Sequence, residues 1–252
     1  MIEAHELSKA YGKTLVLDGV SVTIPRGGLT SIIGANGAGK STLLSMISRL
    51  ATPDRGHVTL DGVDVTRANG AELARKLAIL RQDNHLTARL TVRELVSFGR
   101  FPHCQGRPGP ADIAAIDHAL EYLDLTALAG RFLDELSGGQ RQRAFVAMVL
   151  AQETDYVLLD EPLNNLDMKH SRAMMRMLAR TAHDLGRTVI VVLHDINFAS
   201  CHSDNIIAMK NGRIARHGPP SEIITSECLD LIYDMDIEVQ QVNGKPIAFF
   251  HD

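Results

Sequence analysis

Three short runs in this chain carry residues that could handle phosphate. Gly34-Ala35-Asn36-Gly37-Ala38-Gly39-Lys40-Ser41 is followed by Thr42. Glycines at 34, 37 and 39 let successive backbone N–H groups turn toward phosphate oxygens, Lys40 supplies a mobile ammonium, and the Ser41 hydroxyl can ligate Mg²⁺. The run Tyr156-Val157-Leu158-Leu159-Asp160-Glu161 is apolar and ends in two carboxylates, Asp160 suited to a metal shell and Glu161 to polarising a water. Leu136-Ser137-Gly138-Gly139-Gln140 opens a helical pattern, where Ser137 and the glycine amides make an anion site fit for a γ-phosphate. Singly, these could be a glycine-rich turn, an acidic helix start before Pro162 and a serine-capped helix. The full eight-residue loop beside the carboxylate pair favours phosphoryl chemistry.

The elements that must position these groups can be read from periodicity. Ile2 to Leu7, Val20 to Ile24, Leu29 to Ile33 and Val58 to Leu60 read as strands, with Gly27-Gly28 as turn material and a helix from about Lys40. That places the first motif between strand and helix, as a phosphate loop requires. From about Asn84 to Leu150 the apolar spacing becomes helical, in Leu90 to Phe98, Ile113 to Leu123 and Ala144 to Leu150, and predicts a helical insertion. Arg100 to Pro110 is rich in helix breakers and reads as a loop. Tyr156 to Leu159 and Thr188 to Leu193 read as strands buried on both faces, separated by a helix from Met168 to Leu185. Asn211-Gly212 between two strand-like runs is a hairpin signal, and a hairpin and short helices are expected toward the C-terminus. Met174, Met175 and Met177 on the 168–185 helix read as core packing.

Composition narrows the classes. The 252 residues suffice for one large α/β domain, and 45% hydrophobic with 22% charged residues is ordinary for a folded protein. A net charge of -4 argues against a broad polyanion-binding face, so nucleic acid is not an expected partner. No run is long enough to cross a membrane and no secretory signal starts the chain, which predicts a cytoplasmic location. Cys104, Cys201 and Cys228 are too dispersed for a disulfide framework, and the eleven histidines show no metal-ligand spacing.

Taken in order, the three motifs resemble those of the ATP-binding subunits of ABC transporters, and the resemblance covers the whole chain. It implies an α/β fold: a phosphate-loop NTPase core with parallel sheet over 1–84 and 151–252, an N-terminal antiparallel β subdomain, and an inserted α-helical subdomain over 85–150 that bears the signature motif. Residue by residue it implies that Tyr11 stacks on adenine and that Gly34, Asn36, Gly37, Gly39, Lys40, Ser41 and Thr42 hold the phosphates. Gln82 matches the glutamine that ligates Mg²⁺ and links the site to the insertion. Asp160 matches a Mg²⁺ ligand, Glu161 and His194 the catalytic pair with Lys40, and Asp167 the aspartate of a loop that crosses a dimer interface. Alone, Tyr11 would be a strand-end tyrosine, Gln82 a surface residue, Asp167 a helix cap and His194 structural. Ser137, Gly138, Gly139 and Gln140 lie in the insertion rather than at the phosphate-loop edge, so by resemblance they complete the ATP site of a second copy.

Where many relatives carry Ser-Ala, this chain has Asn164-Asn165. The runs Leu90 to Arg100 and Asp160 to His170, with Ile223-Ile224-Thr225 and Ile232-Tyr233-Asp234, are similar to the ATPases of iron(III)-siderophore importers. That subgroup implies a homodimer in the ATP state, peripheral on the inner face of the cell membrane. It also implies an integral membrane permease docked on the insertion and the Gln82 to Gly106 region, and indirectly a substrate-binding protein. The other readings are importers of heme or vitamin B12, a soluble ABC ATPase acting on ribosomes or DNA, and a small-molecule kinase, which leaves the signature motif unexplained.

Overall fold

A computed structural model of the chain describes residues 1–82, 88–164 and 166–250. Asn165 and the expected start of the insertion near Asn84 lie outside the described residues. In chain order the elements are β1 (Ile2–Tyr11), β2 (Thr14–Ile24), β3 (Gly28–Ile33), α1 (Lys40–Ile47), β4 (Arg55–Leu60), β5 (Val63–Asp64), α2 (Gly70–Lys76), β6 (Leu77–Leu80), α3 (Val92–Phe98), α4 (Phe101–Cys104), α5 (Pro110–Tyr122) and α6 (Gly138–Ala151). There follow β7 (Tyr156–Asp160), α7 (Met168–His183), β8 (Thr188–Val192), α8 (Ile196–His202), β9 (Asn205–Lys210), β10 (Arg213–Gly218), α9 (Pro220–Ile223), α10 (Ser226–Tyr233), β11 (Glu238–Val242) and β12 (Lys245–Phe249). They fall into two compact units, residues 1–68 with those from Leu178 onward, and Asn69–Met177.

In the first unit β2, β1, β4 and β5 form an antiparallel sheet. Ile2 and Ala4 point inward at period two, and a register shift between Ala4 and Leu7, with Glu6 at φ 48°, lets Leu7 also face the core. A bulge thus reconciles an irregular apolar pattern with a one-sided sheet. The strands β10, β9, β3 and β8 run side by side, β3 parallel to both β8 and β9. Every residue of β8 is buried, as an uninterrupted Thr-Val-Ile-Val-Val run requires of a strand covered on both faces. The register pairs Ile32 with Val192, so the chain leaves both strands at one edge, Gly34 and His194 each two residues on. β9 and β10 turn through Asn211-Gly212, at φ 47° and 75°. The β11–β12 hairpin repeats that solution with Asn243-Gly244, at 51° and 74°, a second Asn-Gly signal that the sequence reading passed over.

In the second unit β6 and β7 are a parallel pair. The helices α3, α5 and α6 pack together through Val92, Leu95 and Val96, Ile116 and Leu120, and Ala144 to Ala147. Where the sequence predicts only loop from Arg100 to Pro110, Phe101–Cys104 forms a helical turn. Pro102 is compatible with it because the first N–H groups of a helix have no intrahelical acceptor. Buried Arg100 anchors the turn, its guanidinium donating to Asp112 at 2.9 Å, Glu153 at 2.7 Å and the carbonyl of Ala151 at 2.8 Å. No helix among the described residues is long and apolar enough to cross a membrane.

Candidate nucleotide-handling site

The phosphate loop joins β3 to α1. Ala35, Asn36 and Gly37 are exposed at its tip, while Gly34, Gly39 and Lys40 are buried at its base. Gly34 sits at φ 145° and a Cβ there would lie 2.2 Å from the Met209 carbonyl; at Gly39, φ 98°, it would lie 2.6 Å from Leu17. Only glycine fits a loop pressed this closely on its support. Gly212 of the β9–β10 turn donates to the Ala38 carbonyl at 3.1 Å, so the hairpin braces the loop. The Lys40 ammonium donates to the carbonyls of Gly34 at 2.9 Å and Ala35 at 3.0 Å. Both acceptors are neutral, so an anionic phosphate oxygen is the stronger partner for it. No side chain caps α1, and no acid lies in its first turn, which leaves the positive end of the helix to an anion. Ser41 and Thr42 occupy that first turn, half-buried.

His194 is exposed just past β8, at the edge from which the phosphate loop leaves, and its neighbour Leu193 donates to the Ile32 carbonyl at 3.1 Å. Tyr11 is the last residue of β1, 54% exposed, with the Lys9 ammonium 5.7 Å from its ring centroid. An open aromatic face at a strand end is available for stacking.

In the second unit the register Leu80↔Leu159 carries Gln82 and Glu161 past the same end of β6 and β7. There Gln82 Nε2 donates to Glu161 Oε2 at 2.7 Å, and Asn164 Nδ2 donates to the same oxygen at 2.6 Å. Glu161 stands at φ 51°, a left-handed conformation that costs a side-chain-bearing residue about 1–3 kcal/mol. Turn strain and two amide donors together aim this carboxylate. Asp160 ends the strand immediately before it.

The signature run builds a helix start. Ser137 Oγ accepts from the Gln140 N–H at 3.3 Å and the Gln140 side chain accepts from the Ser137 N–H at 3.0 Å, a reciprocal cap at the head of α6. A Cβ on Gly139 would lie 3.1 Å from the His170 ring, so that ring closes over the glycine. His170 in turn meets Asp167, which accepts from its backbone N–H at 2.8 Å and from its ring at 2.7 Å. The backbone bond, first, and the ring bond hold the Asp167 carboxyl below the usual range. Asp167 therefore caps α7, and His170 connects it to the signature glycines.

Sequence reasoning singled out Asn164 only as a departure and gave His170 no role. Each stands three residues after an acid, Glu161 and Asp167, the spacing at which a turn folds a donor back onto a carboxylate.

Comparisons with known proteins identify the family. The family model for the ABC transporter matches residues 17–164. The chain is 52% identical over 250 residues to the petrobactin import ATP-binding protein YclP of Bacillus subtilis, covering 99% of each. It is 42% identical over 251 residues to the ferric enterobactin transport ATP-binding protein FepC of Escherichia coli, covering 98% of this chain and 93% of that one. Among solved structures, a dimeric bacterial ABC transporter cassette superposes with a TM-score of 0.78 at 31% identity, over 87% of this chain and 99% of that one. A post-hydrolysis state of a cassette bound to ADP and Pi matches with the same TM-score at 30% identity, over 87% and 99%. With a family model matching more than half of the chain and relatives aligned along nearly all of it, the chain belongs to the ABC transporter family, as an ATP-binding and ATP-hydrolysing subunit.

Proposed function

We propose that this ATPase powers uptake of iron(III)-siderophore complexes, as the ATP-driven half of an importer whose membrane permease is a separate chain. The observation that carries the catalytic part is the Gln82–Glu161 contact of 2.7 Å at the paired ends of β6 and β7. It joins that carboxylate to the residue two positions past the end of β6. The cargo class rests on relatives named for petrobactin and ferric enterobactin that align along nearly the whole chain.

In this reading Tyr11 stacks on adenine, and Gly34, Asn36, Gly37, Gly39, Lys40, Ser41 and Thr42 hold the phosphates. Lys40 offsets the charge that develops on the transferred group, Glu161 orients and polarises the attacking water, and His194 contacts the γ-phosphate. Ser41, Gln82 and Asp160 offer hydroxyl, amide and carboxylate oxygens, a donor set suited to Mg²⁺, which when bound neutralises phosphate charge. Ser137, Gly138, Gly139 and Gln140 of one copy close over the ATP of another, with Asp167 at the crossing, so the active form is a homodimer. Residues 85–150 act as the helical subdomain that docks on the permease at the inner face of the membrane, and 1–84 with 151–252 act as the nucleotide core. A binding protein delivers cargo to the permease and does not touch this chain.

The test is uptake of ⁵⁵Fe-labelled siderophores in cells deleted for the chain and complemented with wild type or with Glu161→Gln. Wild type restores ferric siderophore uptake and the variant does not. Restored uptake of heme or vitamin B12, with none of ferric siderophore, would replace the cargo; equal uptake by the variant would remove Glu161 from the mechanism.

A further inference from the structure

Among the described residues, two buried side-chain polar atoms lack a hydrogen-bond partner, Arg143 Nε and the Tyr233 hydroxyl. The tyrosine is the one that bears on the nucleotide-handling residues of the first unit. It is the last residue of α10, and α10 is tied down at that end: the Lys210 ammonium, from the final residue of β9, donates to the Leu231 carbonyl and to Asp234 Oδ1, both at 2.6 Å. The residue before Lys210, Met209, is the one whose carbonyl presses on Gly34. One strand end therefore supports the first residue of the phosphate loop and fixes the helix that delivers the tyrosine.

Burial has the largest influence on the phenol and pushes its pKa up to about 12; the Gly34 backbone N–H acts on it in the lowering direction and the Asp195 carboxylate in the raising one. The phenol is thus neutral and keeps its proton, able to accept through one lone pair and donate through its O–H. Gly34 opens the phosphate loop and Asp195 adjoins His194, where it also caps α8 by accepting from Asn197 and Phe198. A hydroxyl buried without a partner is destabilised by the loss of its hydration, and hydrogen bonds to charged groups are the strong ones.

We propose that Tyr233 is a positioning residue, a latch whose hydroxyl accepts from the Gly34 N–H and donates to Asp195 when the phosphate loop closes on nucleotide, tying the loop to the segment that carries His194. The C-terminal helix thereby takes part in ATP binding without touching ATP. This inference rests on the assignment of Gly34 to Ser41 as the phosphate loop.

The experiment compares wild type and Tyr233→Phe, which removes one oxygen, by calorimetric titration with ATP in the presence of EDTA and by thermal melting with and without ATP. A latch predicts that the variant melts no lower than wild type without ATP, since an unsatisfied polar atom has been removed. It also predicts an ATP Kd raised about fivefold, the scale of one net hydrogen bond, and a smaller ATP-induced rise in Tm. Lys210→Met, which loosens the end of α10, raises the Kd in the same direction. Equal ATP affinity for wild type and Tyr233→Phe, or melting temperatures lowered by the same amount with and without ATP, overturns the latch and leaves only packing. Failure of wild type itself to bind ATP would instead overturn the phosphate-loop assignment.

Discussion

At the scale of single residues, the decisive group is the Glu161 carboxylate. Two amides, from Gln82 and Asn164, converge on one of its oxygens, and its backbone is held at positive φ. A polarising base must be aimed before it can act, and in the proposed mechanism turn strain and donor placement do this for Glu161. Glu161→Gln keeps the size and the hydrogen-bonding capacity while removing the base. ATP binding is expected to persist while turnover falls roughly 10²–10⁴-fold, the range assigned to general-base catalysis, as measured by phosphate release and ATP titration. Wild-type turnover in this variant would eliminate the role. Asn164→Ala removes one of the two restraints, and a fall in kcat with little change in KM is expected from steady-state kinetics. A rise in KM alone would show that Asn164 serves binding instead.

At the scale of elements, the signature motif is a helix start before it is anything else. The reciprocal Ser137–Gln140 cap fixes the entry of α6, and the closeness of Gly139 to His170 fixes what lies beside it. Ser137→Arg replaces the capping hydroxyl with a bulky cation at an end meant for an anion. The isolated chain should still bind ATP, because Lys40 and the loop glycines are untouched, while hydrolysis is abolished; loss of ATP binding by the monomer would contradict a site completed by a second copy. Elsewhere the same physics is legible in the sequence at Asn211-Gly212, since an Asn-Gly turn needs positive φ twice; Asn243-Gly244, not singled out from the sequence, forms a second such turn among the described residues. The turn at Phe101–Cys104 was not readable, because its stability comes from buried Arg100 reaching Asp112 and Glu153, partners distant in sequence.

At the scale of the whole molecule, charge predicts how the fold responds to acid. Asp54, Asp64, Glu94, Asp112 and Asp167 have carboxyls below the usual range, chiefly through hydrogen bonds from Lys9, Thr66, Thr91, Gly109 and His170, and burial lowers His217. For an acid depressed in the folded state, the stabilisation is present above its unfolded pKa and is lost as pH falls through the folded value; a depressed histidine acts in the same sense at higher pH. The urea midpoint should therefore begin to fall below about pH 6.5 and fall more steeply below about pH 4. A midpoint that holds constant to pH 3 would show that these bonds persist in the unfolded chain. The same division of scales separates what sequence and structure each contributed. The sequence by itself determined the motifs, the strand–loop–helix order that frames them and the family, because glycine spacing, strand periodicity and capping chemistry are local and survive without knowledge of neighbours. Only the tertiary structure decided which groups hold Glu161, that His170 closes over Gly139, and that the Tyr233 hydroxyl at the end of α10 is buried without a hydrogen-bond partner. Those contacts join residues far apart along the chain or fix a rotamer among several, and strand register and packing, not local propensity, select them.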